Sequence, residues 1–347
     1  HCDWSSDVCS SDLKSLMMTK YGDIGTSLEE QEVSIPTVGA NQILIKTHSA
    51  SFNPIDYKIL RGDFKAVGKI QFPKGIGRDV SGIVEKVGKN VKNFKAGDKV
   101  YSRIDEAFVG TMAEYVISND NDVALIPSNL SFDESASIPL AGLTSYQALV
   151  DVAKLSSGEN ILIHAGSGGV GTIAIQLAKH LGANVTTTTS TKNVKLVKDL
   201  GADKVIDYTK HSYLDEGTKF DVVFNTLGGK HTLNSFKVLK DGGRVVSISG
   251  DLDSVTTKQL GLNKVVRLLL SLKAKKVTKA ASKMGAMYRF LLMSPNGAQL
   301  KELSKLYESG SIKPVIDKTY DFKSSIQALE YLSNGRAKGK VIVKVVD

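Results

Sequence analysis

Apolar and polar residues follow two rhythms along this chain. From residue 14 to residue 120 short apolar runs are broken by glycine, and their period predicts strands at 16–20, 28–33, 42–50, 80–87, 99–103 and 111–118. No long helical pattern separates them, which points to a compact barrel. Residues 132–153 turn helical, with Ser131 or Asp133 as cap and Pro139 interrupting the pattern. Beyond residue 158 the period changes. Ile161, Leu162 and Ile163 end in a glycine cluster, and Val170, Ile173, Ala174, Leu177 and Leu181 then recur at helical spacing until Gly182. A second strand follows at 185–189. Strands at 204–207, 220–226 and 244–249 alternate with helices at 193–200 and 231–239, which calls for a parallel doubly wound sheet. The rhythm breaks at 255–285, where Val265, Val266, Leu268, Leu269, Leu270 and Leu272 lie among lysines and predict one or two helices. A helix from Leu300, extended pieces within 312–322, a helix at 324–332 and a strand at 340–346 complete the chain.

The stretch 158–192 carries the clearest chemistry. Strand, tight turn, helix and strand frame a G-x-G-x-x-G at Gly166, Gly168 and Gly171. In that frame the first glycine permits the turn, the second lets backbone approach a pyrophosphate, and the third lets helix and strand pack closely. The turn Gly166, Ser167, Gly168, Gly169, Val170 and Gly171 is therefore the candidate phosphate cradle. An NAD site wants a carboxylate about 20 residues on. None occurs from Asn160 to Lys198, and the strand ends in Thr189, Ser190, Thr191 and Lys192. Hydroxyls and an ammonium suit a 2′-phosphate, so the expected cofactor is NADPH.

Composition narrows the class. The chain has 347 residues, 41% hydrophobic and 23% charged, as in a soluble globular protein of two domains. Its two cysteines, Cys2 and Cys9, and its one tryptophan, Trp4, fall in residues 1–13, which lack periodicity and read as a non-native scar outside the fold. The remainder has no cysteine, hence no disulfide and no thiolate metal site, which fits a reducing cytoplasm. No secretory signal is visible at the N-terminus. The net charge of +9 is concentrated: residues 254–301 hold ten Lys and Arg and no acid. Nothing resembles a nucleic-acid module. The block reads either as a core-facing helix with a solvated lysine face or as a weak peripheral contact with an anionic membrane. The first reading buries Leu268, Leu269 and Leu272, and the second leaves a share of them exposed.

Seven motifs in order carry a resemblance: FNPIDYKILRG (52–62), GRDVSGIVEKVG (77–88), FKAGDKVY (94–101), IPLAGLTSYQAL (138–149), HAGSGGVGTIAIQLAK (164–179), LGADKVIDY (200–208) and GRAKGKVIV (335–343). The chain resembles the medium-chain dehydrogenase/reductase superfamily in its zinc-free quinone oxidoreductase and enone reductase branch. The resemblance implies an α/β protein with a GroES-like β-barrel catalytic domain at 14–140, a Rossmann domain with its doubly wound parallel sheet at 141–294, and a segment at 295–347 that returns to the barrel. Zinc-dependent members ligate metal through Cys, His and Cys. The matching positions here are Asn53, Arg78 and Leu140, so no metal is expected. The resemblance places Lys58 as the group polarising a substrate carbonyl, with Tyr57 as second choice and Asn53 as a polar pocket wall; Asp56 caps the turn. It places Thr144 near the nicotinamide, Ser190, Lys192 and Tyr208 around the 2′-phosphate, Asn225 and Ser249 along the nicotinamide crevice, and Lys340 as a basic residue that either reaches the cofactor or lies on the surface. His164 and His180 read as structural.

The expected activity is hydride transfer from NADPH to a quinone or to the β-carbon of an α,β-unsaturated carbonyl. Lys58 or an ordered water meets the charge on oxygen, and solvent supplies the proton. The alternatives are a zinc-free alcohol or aldehyde reductase and a non-catalytic NADPH-binding redox sensor. The expected partner is the small-molecule quinone or enone, with no nucleic acid; the chain is expected as a monomer or homodimer, with a weak peripheral membrane contact on the second reading of the basic block.

Overall fold

The computed structural model describes residues 12–65, 68, 70–105, 110–217 and 219–346. The N-terminal half begins with β1 (Asp12–Met18), α1 (Ile24–Ser27), β2 (Leu28–Ser34), β3 (Gln42–Phe52), α2 (Pro54–Arg61), β4 (Lys74–Gly75), β5 (Asp79–Val87), β6 (Lys99–Arg103), β7 (Tyr115–Asn119) and β8 (Val123–Leu125). A small sheet orders β2-β1-β4. The larger one runs β3-β5-β6-β8, with β7 also on β3. Their apolar faces enclose Ile43, Ile45, Val80, Val84, Val100 and Val116. Leu13 belongs to this core: it pairs with Val33 and is buried. The fold therefore starts inside the stretch 1–13 that the sequence sets aside, because Leu13 continues the inward phase of β1.

Two helices connect the halves. Ser131 caps α3 (Phe132–Ala136), donating to and accepting from Glu134, so the cap is Ser131 and not Asp133. Pro139 opens α4 (Pro139–Tyr146) at a position where no backbone N–H is needed. This helix runs across the 140/141 division expected from sequence.

The second half holds β9 (Asn160–Ile163), α5 (Gly169–His180), β10 (Asn184–Thr189), α6 (Val194–Asp199), β11 (Lys204–Asp207), β12 (Phe220–Asn225), α7 (Lys230–Val238), β13 (Leu239–Ser247), α8 (Ser254–Gln259), α9 (Lys264–Lys273), α10 (Lys275–Lys283) and β14 (Met287–Phe290). Every pairing is parallel, in the order β11-β10-β9-β12-β13-β14. Renumbered from β9 this is 3-2-1-4-5-6, the order of a doubly wound dinucleotide-binding sheet. Ala174, Ile175, Leu177 and Ala178 of α5 cover one face. Phe236 of α7 with Val277 and Ala281 of α10 cover the other. The basic stretch forms three helices where one or two were expected. The edge strand β14 has no counterpart in the sequence reading, because four residues with one buried side chain, Tyr288, show no period.

The chain then returns. In α11 (Gly297–Glu308), Leu300, Leu303 and Tyr307 join the core of the parallel sheet, while Tyr101 of β6 donates to the Leu300 carbonyl at 2.7 Å. Next come β15 (Ile316–Asp321), α12 (Ser325–Ser333) and β16 (Lys340–Lys344). β16 pairs antiparallel with β3 and parallel with β15, extending the barrel sheet.

Candidate functional site

The glycine turn leaves the end of β9 at the point where the strand order reverses, the place such sheets bind ligands. Its left-handed residue is Ala165, at φ 51°, and no glycine of the turn has positive φ. The glycines are demanded by space. A Cβ on Gly166 would stand 2.1 Å from the Thr187 hydroxyl, and one on Gly171 would stand 2.3 Å from the Ala165 carbonyl. Gly168 precedes α5 as its N-cap, so the first turn of that helix leaves its backbone N–H groups facing the cleft, as an anion cradle requires. The Ser167 hydroxyl accepts from Thr189 and from Asn193, each at 3.0 Å, which ties the cradle to the end of β10.

That strand end carries the residues expected around a 2′-phosphate. Ser190 is half-buried and accepts from Asn193, Lys192 is exposed in the 3-10 turn that follows, and Tyr208 is exposed, its N–H donating to the Thr189 carbonyl. Sequence reasoning missed a carboxylate here. Asp207 ends β11 opposite Thr189. Its oxygens accept from the hydroxyls of Thr191 at 2.5 Å and Thr209 at 2.7 Å, and these bonds hold it below the usual carboxylate range. The spacing rule searches along one strand, and this acid arrives from the neighbouring one.

Next to the turn lies His164, buried, with Nδ1 3.3 Å from the Thr188 hydroxyl and an edge contact to Tyr213. Burial, aided by His231, pushes its pKa down to about 3. The unfolded chain takes up this proton below about pH 6.5 while the folded chain refuses it until about pH 3. The stability that His164 contributes is therefore complete above pH 6.5 and is lost on acidification, at up to about 1.4 kcal/mol per pH unit. Thermal unfolding followed from about pH 7 down to about pH 5 is expected to show this loss. His164→Phe should flatten the curve, and an equal slope in both proteins would assign the loss to other groups.

Across the cleft, α2 presents Asn53, Tyr57 and Lys58. Tyr57 and Lys58 are half-buried in the wall of one cleft of about 1430 Å³, which is also lined by Thr144, Gly168, Gly169, Val170, Thr226 and Ser249. Lys58 has no hydrogen-bond or ion-pair partner among the described residues, so its ammonium is available to the cleft. Burial raises the Tyr57 phenol above its ordinary value, which keeps it a proton donor. Thr144 is buried and donates to the Leu140 carbonyl at 2.6 Å. Asn225 is displaced from its expected role: it is fully buried, and its carboxamide is used by Thr232, Ser247 and the N–H groups of Leu227 and Gly228. The next residue, Thr226, lines the cleft instead.

Beneath α2 lies a charge network that sequence reasoning did not assemble. Asp79 is fully buried. It accepts from Ser51 at 2.9 Å, Asn53 at 2.9 Å, Lys340 at 3.0 Å and the Leu140 N–H at 2.8 Å. Lys340 also donates to the side-chain oxygen Oδ1 of Asn53. Beside them Arg78 pairs with buried Asp56, which also accepts from the Asn53 N–H at 2.7 Å. Burial pushes Asp56 upward and Arg78 opposes it. Lys340 is thus neither a surface lysine nor a free hand for the cofactor, since a buried ammonium requires a counter-charge and Asp79 is that charge. Its stem still packs on the cradle: a Cβ on Gly169 would come 2.9 Å from Lys340 Cδ. The adjacent Gly339 bridges Gly168 and donates to the Ser167 carbonyl at 2.9 Å. Asn53, Arg78 and the backbone of Leu140 therefore meet at the positions matching metal ligands, and they serve two ion pairs.

Comparisons with known proteins agree with this geometry. The alcohol dehydrogenase GroES-like domain family matches residues 39–128, and the zinc-binding dehydrogenase family matches residues 200–343. The chain is 39% identical to the 2-methylene-furan-3-one reductase of Solanum lycopersicum, over 96% of this chain and 79% of that one. It is 36% identical to the chloroplastic NADPH-dependent alkenal/one oxidoreductase of Arabidopsis thaliana, with the same coverage. The quinone oxidoreductase structure from Coxiella burnetii superposes with a TM-score of 0.84 at 32% identity, covering 97% of this chain and all of the other. A GroES-like barrel, a 3-2-1-4-5-6 parallel sheet and relatives of this kind make the chain an oxidoreductase of the medium-chain dehydrogenase/reductase superfamily, among its quinone and enone reductases.

Proposed function

We propose that the protein is an NADPH-dependent reductase of quinones or α,β-unsaturated carbonyl compounds that works without zinc. The observation that carries this reading is one cleft lined by both the unpaired Lys58 ammonium with the Tyr57 phenol and, facing them, the glycine cradle. The cradle fits a dinucleotide, since backbone occupies the space side chains would fill and a helix N-terminus points outward. Gly168, Gly169 and Val170 would hold its phosphates, Ser190 and Lys192 the 2′-phosphate, and Thr144, Thr226 and Ser249 would border the nicotinamide. When bound, NADPH supplies the hydride; the chain supplies orientation and charge. Lys58 donates to the acceptor's carbonyl oxygen, where negative charge grows. Tyr57 is positioned as a second donor.

Zinc independence is supported by the chemistry of the donors. Among the described residues no three His, Cys, Asp or Glu side chains come together as a metal site. Asn53 and Arg78 are already committed to carboxylates. Chelator should leave turnover unchanged, and elemental analysis of the active enzyme should find no stoichiometric zinc. Zinc whose removal abolishes turnover would overturn this part. Cofactor choice has its own test. Wild type is expected to bind NADPH more tightly than NADH, and Lys192→Ala should weaken NADPH by about tenfold, since a charge-assisted contact is lost. Equal affinities in wild type would remove Ser190 and Lys192 from the site.

A further inference from the structure

The basic stretch has a face that the cleft does not use. On α9, Val265, Leu268, Leu269 and Leu272 follow one another at i, i+3, i+4 and i+7, and each is 58–68% exposed. Four of the eleven large apolar side chains exposed among the described residues thus sit on one ten-residue helix, none of whose residues is buried. A core-facing helix would have hidden them. Immediately after, α10 buries Val277 and Ala281 against the sheet and turns Lys275, Lys276, Lys279 and Lys283 outward. The surface therefore continues from leucine into lysine, and no acid occurs from 254 to 301.

A pocket of about 400 Å³ opens between α8 and α9 at the base of the leucine stripe. Lys264, Arg267, Ser254, Thr257 and Ser271 line it, and Arg267 Nε is buried without a hydrogen-bond partner among the described residues. The pocket also touches Asp253, whose carboxylate is already engaged by the N–H groups of Val255, Thr256 and Phe290 and by Arg289. What remains on offer is cationic.

We infer that α9 and α10 form a peripheral docking surface for an anionic phospholipid layer, with the leucines entering the interface, the lysines facing the headgroups, and the pocket at Arg267 taking a headgroup phosphate. The charge decides the occupant. A second copy applying the same face would set two surfaces rich in lysine and arginine against each other, whereas an anionic lipid surface complements them. No helix among the described residues is long and apolar enough to cross a membrane, so the contact is in the interface plane. Leu270 and Lys273 of the same helix line the cleft, so docking brings that wall of the cleft to the lipid.

The test is co-sedimentation of the full chain with phosphatidylcholine vesicles, with and without phosphatidylserine, at low and high salt. Partitioning onto the phosphatidylserine vesicles is expected to exceed that onto phosphatidylcholine by about tenfold or more and to fall with salt. Leu268→Glu with Leu269→Glu should abolish it, and Arg267→Gln should lower it severalfold, with the thermal midpoint of each variant unchanged as evidence of folding. Because the readout is binding, it stands apart from the proposed reductase activity. Equal partitioning on both vesicles, no binding at all, or a concentration-dependent dimer that the leucine variants dissolve would each overturn the inference.

Discussion

Lys58→Met is expected to lower kcat by about 100- to 1000-fold while leaving NADPH affinity within a few-fold. The size follows from what is removed. Lys58 sits one turn into α2, half-buried, at the wall of the cleft, with no carboxylate committed to it among the described residues. An ammonium held there meets charge that exists on the acceptor's oxygen only as the reaction proceeds, so its loss appears in the chemical step rather than in binding. Methionine keeps the apolar stem and removes the donor. Steady-state kinetics on several accepted acceptors, with separate cofactor titration, read both quantities. A variant within twofold of wild type on every acceptor would return Lys58 to a bystander's role and shift the donor's part to Tyr57.

Lys340→Met is expected to cost about 3–5 kcal/mol of stability, seen as a thermal midpoint lower by about 5–10 °C. The Lys340 and Asp79 side chains are 5% and 0% exposed, and the pair joins the last strand of the chain to the start of β5. Removing the ammonium leaves a carboxylate stranded where water does not reach, and that uncompensated charge, more than the lost bond, sets the cost. A second substitution tests the reason. Adding Asp79→Asn removes the stranded charge and keeps one acceptor oxygen for the Leu140 N–H, while the Ser51 hydroxyl can turn to accept from the new amide, so the double variant should recover more than half of the loss. Independent, additive losses would mean that the two residues do not face each other as described. The same pair also holds Gly339 against Gly168, so the single variant should bind NADPH less tightly.

The local features of the site were legible in the sequence because they depend on neighbours in the chain. A strand running into Gly166, Gly168 and Gly171 and out through a helical period specifies the cradle, and the N-P-x-D turn specifies where Tyr57 and Lys58 begin a helix. Even there the reason differed in part: the left-handed conformation falls on Ala165, and the glycines answer to the Thr187 side chain and the Ala165 carbonyl. What pattern could not supply was pairing across distance. Lys340 and Asp79 are 261 residues apart, and each alone reads as a charge to be solvated. A signal was present in Arg78 and Asp79, two charges at the head of a strand whose first half is buried. Asp207 escaped because it comes from the strand beside the one searched. The leucines of α9 defeat periodicity for another reason: an amphipathic pattern shows that a helix has an apolar face but not whether protein covers it.

Metal-free hydride transfer from NADPH to an acceptor held beside Lys58 is tested most directly by isotopic labelling. Chelator-treated enzyme is given NADPH deuterated at the transferable C4 position together with an enone, and the product is analysed by mass spectrometry. The expected result is acceptor-dependent NADPH loss with one deuterium on the carbon β to the carbonyl, at the same rate with and without chelator. NADPH that is bound but never consumed in the presence of quinones, enals and enones, or turnover that vanishes with chelator and returns with zinc, would contradict it.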